Sequence, residues 1–253
     1  MYFDTHAHYD DEQFGSDRDS LLAAMPEAGV ELIVNPGCDM PSSRAARQLA
    51  ARFPHVYFGV GVHPHDAKNM TDKDFDELRE LAADPKCVAI GEIGLDYHYD
   101  LSPREIQRVR FTQQMELARE LGKPVIIHER EACADVLDVV TRFKDLRGVY
   151  HCFSGSWETA KIILDQGWYL SFTGVITFKN ARRALEVVEK MPADRLMIET
   201  DSPYLAPVPM RGTRNDSRNL AFIAAKAAEL RGMTPEELAA LTLENGRRFF
   251  GIH

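Results

Sequence analysis

Two histidines near the start of the chain, His6 and His8, are the first residues whose type and spacing could do chemistry. On a β-strand, residues i and i+2 project from the same face, so the run Tyr2-Phe3-Asp4-Thr5-His6-Ala7-His8 would hold both imidazoles side by side. Neutral imidazole is the commonest side-chain metal ligand. The pair predicts a chelating site. An isolated pair can equally be two ordinary polar residues, so the prediction depends on the rest of the chain.

Further imidazoles and carboxylates follow or close the apolar runs of the sequence. Glu92 lies inside one such run, and a buried carboxylate is costly unless a metal or an arginine compensates it, so we interpret Glu92 as a metal ligand. The other candidates are His63, His128, His151 and Asp201. The paired histidines, His128, His151 and the two carboxylates are too many ligands for one tetrahedral ion. They suit two divalent cations that share a bridging carboxylate.

The elements that must position these residues alternate along the chain. Apolar runs predict strands at about residues 2–8, 32–36, 57–63, 87–95, 125–128, 149–153, 169–173 and 196–200. Amphipathic stretches predict helices at about 16–29, 41–53, 72–83, 103–122, 131–144, 156–166, 180–191 and from 218 onward. This alternation favours an α/β fold, a (β/α)₈ TIM barrel that forms a single domain over residues 1–253. A doubly wound sheet is the alternative, but its glycine-rich first turn is absent.

Composition narrows the function classes. The chain of 253 residues has a formal net charge of −9, which disfavours a non-specific nucleic-acid coat but allows an enzyme that holds phosphate through metal ions and local arginines. The four cysteines are widely spaced and predict reduced thiols. These thiols, and a sequence in which we recognise neither a signal peptide nor a membrane span, predict a cytoplasmic protein. We also predict no obligate protein partner.

The ordered motifs FDTHAH, GVGVHPH, GEIGLDY, PVIIHER, HCFSG and ETDSPYLAP resemble those of the TatD-like metal-dependent deoxyribonucleases, within the amidohydrolase-like metallohydrolases. The resemblance runs over nearly the whole chain, to LTLENGRRFFG. It implies that one cation is surrounded by His6, His8, Glu92 and Asp201, and that a second is held by Glu92, His128 and His151. It further implies that Asp201 is the general base and that His63 approaches the substrate phosphate. We expect two divalent cations, which can be Mg²⁺, Zn²⁺ or Mn²⁺, because imidazole suits zinc and manganese and carboxylate suits magnesium.

These expectations predict a hydrolase that cleaves phosphodiester bonds in DNA, acting as an exonuclease on single-stranded or frayed ends.

Basic residues after the eighth strand either hold phosphate or lie in a solvated loop: Arg211, Arg214 and Arg218. Aromatic residues beyond strand ends either stack on bases or pack loops: Tyr97, Phe153, Trp157 and Tyr204. The chain departs from the family pattern at Ser202-Pro203-Tyr204, and at Ser217-Arg218-Asn219 where a proline-bearing segment is usual. The second departure bears on substrate preference.

Three other readings compete with a nuclease. A barrel hydrolase of small amides or lactones often bridges its metals with a modified lysine, and here the fourth strand offers Glu92 instead. A metal-storing or partner-binding barrel is disfavoured, because Glu92 and Asp201 would then be buried carboxylates with no catalytic role. A Cys152–His151 nucleophile is disfavoured because adjacent strand residues face opposite sides.

Overall fold

The computed structural model describes residues 1–253. Eight parallel strands lie side by side in chain order. They are β1 (Tyr2–Asp4), β2 (Val30–Pro36), β3 (Val56–Val60), β4 (Cys87–Asp96), β5 (Val125–Arg130), β6 (Gly148–Tyr150), β7 (Tyr169–Phe172) and β8 (Leu196–Ile198). The helices are α1 (Arg18–Ala24), α2 (Met40–Arg52), α3 (Asp72–Ala82), α4 (Arg104–Leu121), α5 (Cys133–Val140), α6 (Trp157–Asp165), α7 (Arg182–Lys190), α8 (Leu220–Arg231) and α9 (Pro235–Phe250).

The first and last strands meet beyond their regular ends. Ala7 forms a parallel bridge with Ser202, and the backbone N–H of Asp201 donates to the carbonyl of His6 at 2.9 Å. The sheet is therefore a nearly closed barrel with alternating helices, and the predicted TIM barrel is confirmed.

Local sequence signals set the helix ends. Thr234 caps α9 by accepting from the backbone N–H of Glu237, and Pro235 follows as the first helical residue. Gly122 ends α4 with a left-handed φ of 64°, a conformation that glycine adopts at little cost. Because β5 begins at Val125, three residues after Gly122, this cap leads α4 directly into the next strand.

A compact apolar cluster fills the lower half of the barrel interior. Each strand except β3 contributes at least one of its residues, and Phe249, Phe250 and Ile252 close the floor from the chain's last segment. Because strand side chains alternate, residues two or four positions after Ile126, Val149 and Met197 face the same interior. Those later positions are occupied by polar groups: His128, His151, Glu199 and Asp201.

Several strands are shorter than the sequence predicts. β1 ends at Asp4 and β3 at Val60, so the paired histidines and His63 follow their strands. β8 ends at Ile198, three residues before Asp201. Beyond these points single backbone bonds continue, such as the one from the N–H of Ala7 to the carbonyl of Val34 at 3.0 Å. Side chains add others: the carboxylate of Asp4 accepts from the backbone N–H of Thr200 at 2.9 Å. The site therefore lies on the segments that leave the barrel.

Candidate metal centre

A cavity of about 870 Å³ opens at the carboxyl ends of the strands. All the predicted site residues except the fully buried His6 line it, and His6 contacts the group from below. The residues brought together come from positions 6 to 201 of the chain. Barrel enzymes hold their active sites at this end of the strands, so the location fits the predicted chemistry.

Glu92 lies at the centre of the cluster and directs its two oxygens to different imidazoles. Its Oε1 lies 2.9 Å from both His128 Nδ1 and His151 Nε2. Its Oε2 lies 3.2 Å from His6 Nε2 and 3.6 Å from His8 Nε2. The side chain is 4 % exposed. One carboxylate thus separates two groups of nitrogen ligands.

Asp201 stands beside the first of these groups. Its Oδ1 lies 3.5 Å from His8 Nε2 and 3.7 Å from His6 Nε2, and those two nitrogens are 3.0 Å apart. Asp201 keeps 15 % of its side chain exposed to the cavity. It can therefore contact both a cation and an incoming water.

Two further carboxylates fix the orientation of the second pair of imidazoles. Asp96 Oδ2 accepts from His128 Nε2 at 3.1 Å, which leaves His128 Nδ1 free to ligate. Glu199 Oε1 accepts from His151 Nδ1 at 3.2 Å, which leaves His151 Nε2 free. A carboxylate behind each histidine is the arrangement that sets tautomer and ring orientation in metal sites. In both rings the freed nitrogen faces Glu92.

The site keeps its carboxylates ionised. Burial alone would raise the pKa of Glu92, but the surrounding imidazoles, His151 foremost, hold that pKa well below its usual range. Burial likewise opposes the ionised form of Asp201, yet a hydrogen bond with His8 and the nearby imidazoles lower its pKa. The anionic form is the one that ligates metal.

His63 faces the same cavity from the β3 side. Its Nε2 lies 3.6 Å from Glu92 Oε1, and its Nδ1 accepts from the backbone N–H of His65 at 3.2 Å. That contact assigns the ring proton to Nε2, which points into the cavity. Burial, reinforced by His128, lowers the pKa of His63 well below its ordinary value, so the ring is a neutral donor.

The three arginines after β8, which the sequence assigns either to phosphate binding or to a solvated loop, lie outside the cavity. Arg214 makes a two-pronged ion pair with Asp17, at 2.8 and 2.6 Å, and Arg218 a similar one with Asp216 at 2.8 and 2.7 Å. Arg211 stacks over Phe178 with its guanidinium carbon 3.8 Å from the ring centre. The phosphate-binding interpretation of these three residues is therefore not supported, since none lines the cavity.

The predicted aromatic contacts are mostly structural. Phe153 is buried in the core, Trp157 packs against it, and the Tyr97 hydroxyl donates to Asp135 at 2.6 Å. Tyr204 alone among the four lines the cavity. Tyr99, which the sequence analysis missed, lines it as well and is 54 % exposed.

Cys152 lines the cavity too, so strand alternation was the wrong reason to dismiss it as a nucleophile. The residue follows β6 with a φ of 45°, outside regular strand geometry. Burial and the adjacent Asp201 carboxylate raise the pKa of its thiol to about 12. The thiol is therefore protonated at neutral pH and does not act as a nucleophile.

Sequence reasoning also missed Asp96, His65 and Glu199. Asp96 is fully buried and Glu199 is 1 % exposed, and both sit in apolar runs, as Glu92 does. The same cost of burying a carboxylate could have identified them. His65 follows two residues after His63 and donates to Asp96 at 3.0 Å.

The chain is similar to known proteins over its full length. Residues 3–251 match the family described as TatD related DNase. The metal-dependent hydrolase YabD of Bacillus subtilis is 44% identical, with 100% of both chains covered. The 3'-5' ssDNA/RNA exonuclease TatD of Citrobacter koseri is 37% identical, with 99% of each covered. The crystal structure of the TatD homolog YjjV of Escherichia coli has a TM-score of 0.93 at 29% identity, covering 100% of this chain and 98% of that one.

A barrel with this cluster at its mouth, together with these relatives, defines a metal-dependent hydrolase that acts on ester bonds. The chain belongs to the TatD family. The structure contains no helix with the length and apolar character needed to cross a bilayer.

Proposed function

We propose that the protein is an exonuclease that hydrolyses phosphodiester bonds at single-stranded or frayed ends of DNA, acting as one domain over residues 1–253 with two divalent cations. The observation that carries this proposal is Glu92, whose two oxygens face two different sets of imidazoles. The substrate class is supported by a relative whose name is 3'-5' ssDNA/RNA exonuclease. A small-molecule hydrolase is not favoured, since no lysine lines the cavity.

The donor set fits a pair of cations. His6, His8, Glu92 and Asp201 would hold one, and Glu92, His128 and His151 the other. Every imidazole nitrogen needed for this set faces Glu92 within 3.6 Å. Imidazole suits Zn²⁺ and Mn²⁺, whereas carboxylate and water suit Mg²⁺, and the mixed set accommodates all three.

Divalent cations held there supply Lewis acidity, which lowers the pKa of water toward neutrality and stabilises charge on the phosphate. Asp201 acts as the general base, because it is ionised and open to the cavity, and it accepts the proton of the attacking water. His63 donates its Nε2 proton in a hydrogen bond to a phosphate oxygen. Glu92 keeps the two ligand groups together.

The cavity suits a single strand better than a duplex. Carboxylates surround its mouth, among them Asp10, Asp11 and Asp66, and Arg130 is the single arginine or lysine that lines it. Gripping intact duplex requires neutralising many phosphates on both strands. A flexible end can instead enter a narrow site and present one phosphate at a time.

The test is an assay of metal-stripped protein on an end-labelled single-stranded oligonucleotide, with Mg²⁺, Mn²⁺ or Zn²⁺ added separately. We expect activity only with added cation, and shortening from one end. Asp201→Asn should lower kcat about 100-fold or more, the range for losing a general base. Asp194→Asn, at an exposed position near the start of β8, is the matched control. Unchanged cleavage after chelation, or turnover of lactones but not of the oligonucleotide, would contradict the proposal.

A further inference from the structure

Arg130 occupies a distinctive place at the mouth of the cavity. It ends β5 two residues after His128, so both side chains project from the same face of the strand. Two strand residues span about 7 Å, which places Arg130 one step farther out along the strand than His128. Its side chain is exposed and lines the cavity.

The guanidinium of Arg130 has no carboxylate partner within the protein. Arg104 pairs with Asp100 at 3.0 Å, and Arg214 and Arg218 have partners as well. The guanidinium of Arg130 instead contacts an aromatic ring, that of Tyr99, whose centre lies 4.7 Å from the guanidinium carbon. An arginine that stays unpaired at a mouth rich in carboxylates has its hydrogen-bond donors available for an anionic ligand.

Tyr99 holds the arginine in place. Its backbone N–H donates to Asp96 at 2.8 Å, and the ring contacts His65 edge-on at 5.4 Å between ring centres. The guanidinium carbon lies over the Tyr99 ring, and the guanidinium N–H groups donate to no other group of the protein. Stacking restricts the arginine without consuming its donors, and this lowers the entropy lost on binding.

We infer that Arg130, supported by Tyr99, binds the phosphate next to the one that is cleaved. This inference rests on the proposed function, because it assigns a second phosphate subsite to the same strand. The reacting phosphate lies at the level of Glu92 and His128, and Arg130 stands one step outward, where the continuing strand leaves the cavity. A guanidinium recognises phosphate with paired donors, which a lysine ammonium does not reproduce.

The experiment compares wild type, Arg130→Ala and Arg130→Lys on a single-stranded oligonucleotide and on bis(p-nitrophenyl) phosphate, which has only the reacting phosphate. We expect Arg130→Ala to lower kcat/KM on the oligonucleotide about 10- to 100-fold, mainly through KM. The loss on the small diester should stay under about 2-fold. On the oligonucleotide, the kcat/KM of Arg130→Lys should fall between that of wild type and that of Arg130→Ala. The slope of log(kcat/KM) against log[salt] should become shallower by about 0.7, the value for one single-strand phosphate contact.

A neutral methylphosphonate placed at successive linkages locates the contact. At the linkage next to the cleaved one, this substitution should lower the kcat/KM of wild type as much as Arg130→Ala lowers it on the unmodified oligonucleotide. It should not lower the kcat/KM of Arg130→Ala any further. Arg104→Ala is the matched control, because Arg104 stacks on Tyr97 at 4.3 Å but lies outside the cavity.

Two results would overturn the inference while leaving the nuclease proposal intact. One is an equal loss on both substrates in Arg130→Ala. The other is a full methylphosphonate penalty that persists in this variant. A wild-type protein that hydrolyses the small diester but no oligonucleotide would refute the proposed function itself, and the inference with it.

Discussion

Replacing Asp96 by asparagine should weaken one of the two proposed cation sites and spare the other. Asp96 uses both oxygens: Oδ1 accepts from the backbone N–H groups of His98 and Tyr99 at 3.0 and 2.8 Å, and Oδ2 accepts from His128 and His65. Asparagine has one acceptor oxygen. If that oxygen stays on the backbone amides, its NH₂ group faces His128 Nε2.

An NH₂ group at that position reverses the hydrogen bond and moves the ring proton of His128 to Nδ1. That nitrogen lies 2.9 Å from Glu92 Oε1, so the proton would take the lone pair that the proposed second cation needs. Loss of such a supporting carboxylate typically weakens metal binding about 10- to 100-fold, or about 1.4–2.7 kcal/mol. The site formed with His6 and His8 should change by less than about 2-fold.

Calorimetric titration of metal-free protein with Mn²⁺ measures both affinities. Asp135→Asn is the control, since Asp135 accepts from the Tyr97 hydroxyl outside the cavity. Thermal unfolding of each variant shows whether folding is preserved. Unchanged affinities in Asp96→Asn, or equal weakening of both sites in a folded protein, would refute this reasoning.

Three further predictions concern stability. Phe249→Ala removes a fully buried ring from the barrel floor and should lower the free energy of unfolding by about 3–5 kcal/mol in urea denaturation. A loss smaller than about 1 kcal/mol would contradict that role. Ser217→Ala removes the hydroxyl that donates to buried Asp4 at 2.6 Å and should cost about 1–3 kcal/mol in the same assay, whereas exposed Ser20→Ala should be nearly neutral. Burial lowers the pKa of His55, so stability should fall as pH drops below about 6.5; His55→Phe should flatten the pH profile of Tm, and an unaltered profile would count against this cause.

The sequence predicted the barrel and the histidines and carboxylates that surround Glu92, but not Asp96, His65 or Tyr99, which also line the cavity. Strand alternation and the cost of burying Glu92 are local properties, readable without coordinates. The histidine pair was predicted on β1, yet it lies beyond the strand end at Asp4. The two rings still converge, with their Nε2 atoms 3.0 Å apart.

Side-chain contacts between residues far apart in the chain could not be predicted from the sequence. The sequence left two interpretations of Arg214 open, a phosphate ligand or a residue of a solvated loop, because its ion-pair partner, Asp17, lies 197 positions away. The cost of burying a carboxylate could have marked Glu199 as a site residue, but its contact with His151 Nδ1 depends on the orientation of the ring and is visible only in the structure. Arg130 stood in a recognised motif, but only the structure reveals that its guanidinium is unpaired.

The most direct test of a shared Glu92 is electron paramagnetic resonance of metal-stripped protein loaded with Mn²⁺. Two ions bridged by this carboxylate predict an exchange-coupled spectrum in wild type that reverts to isolated-ion signals in Glu92→Gln. Isolated-ion signals in fully loaded wild type, or coupling that persists in Glu92→Gln, would contradict the bridging role.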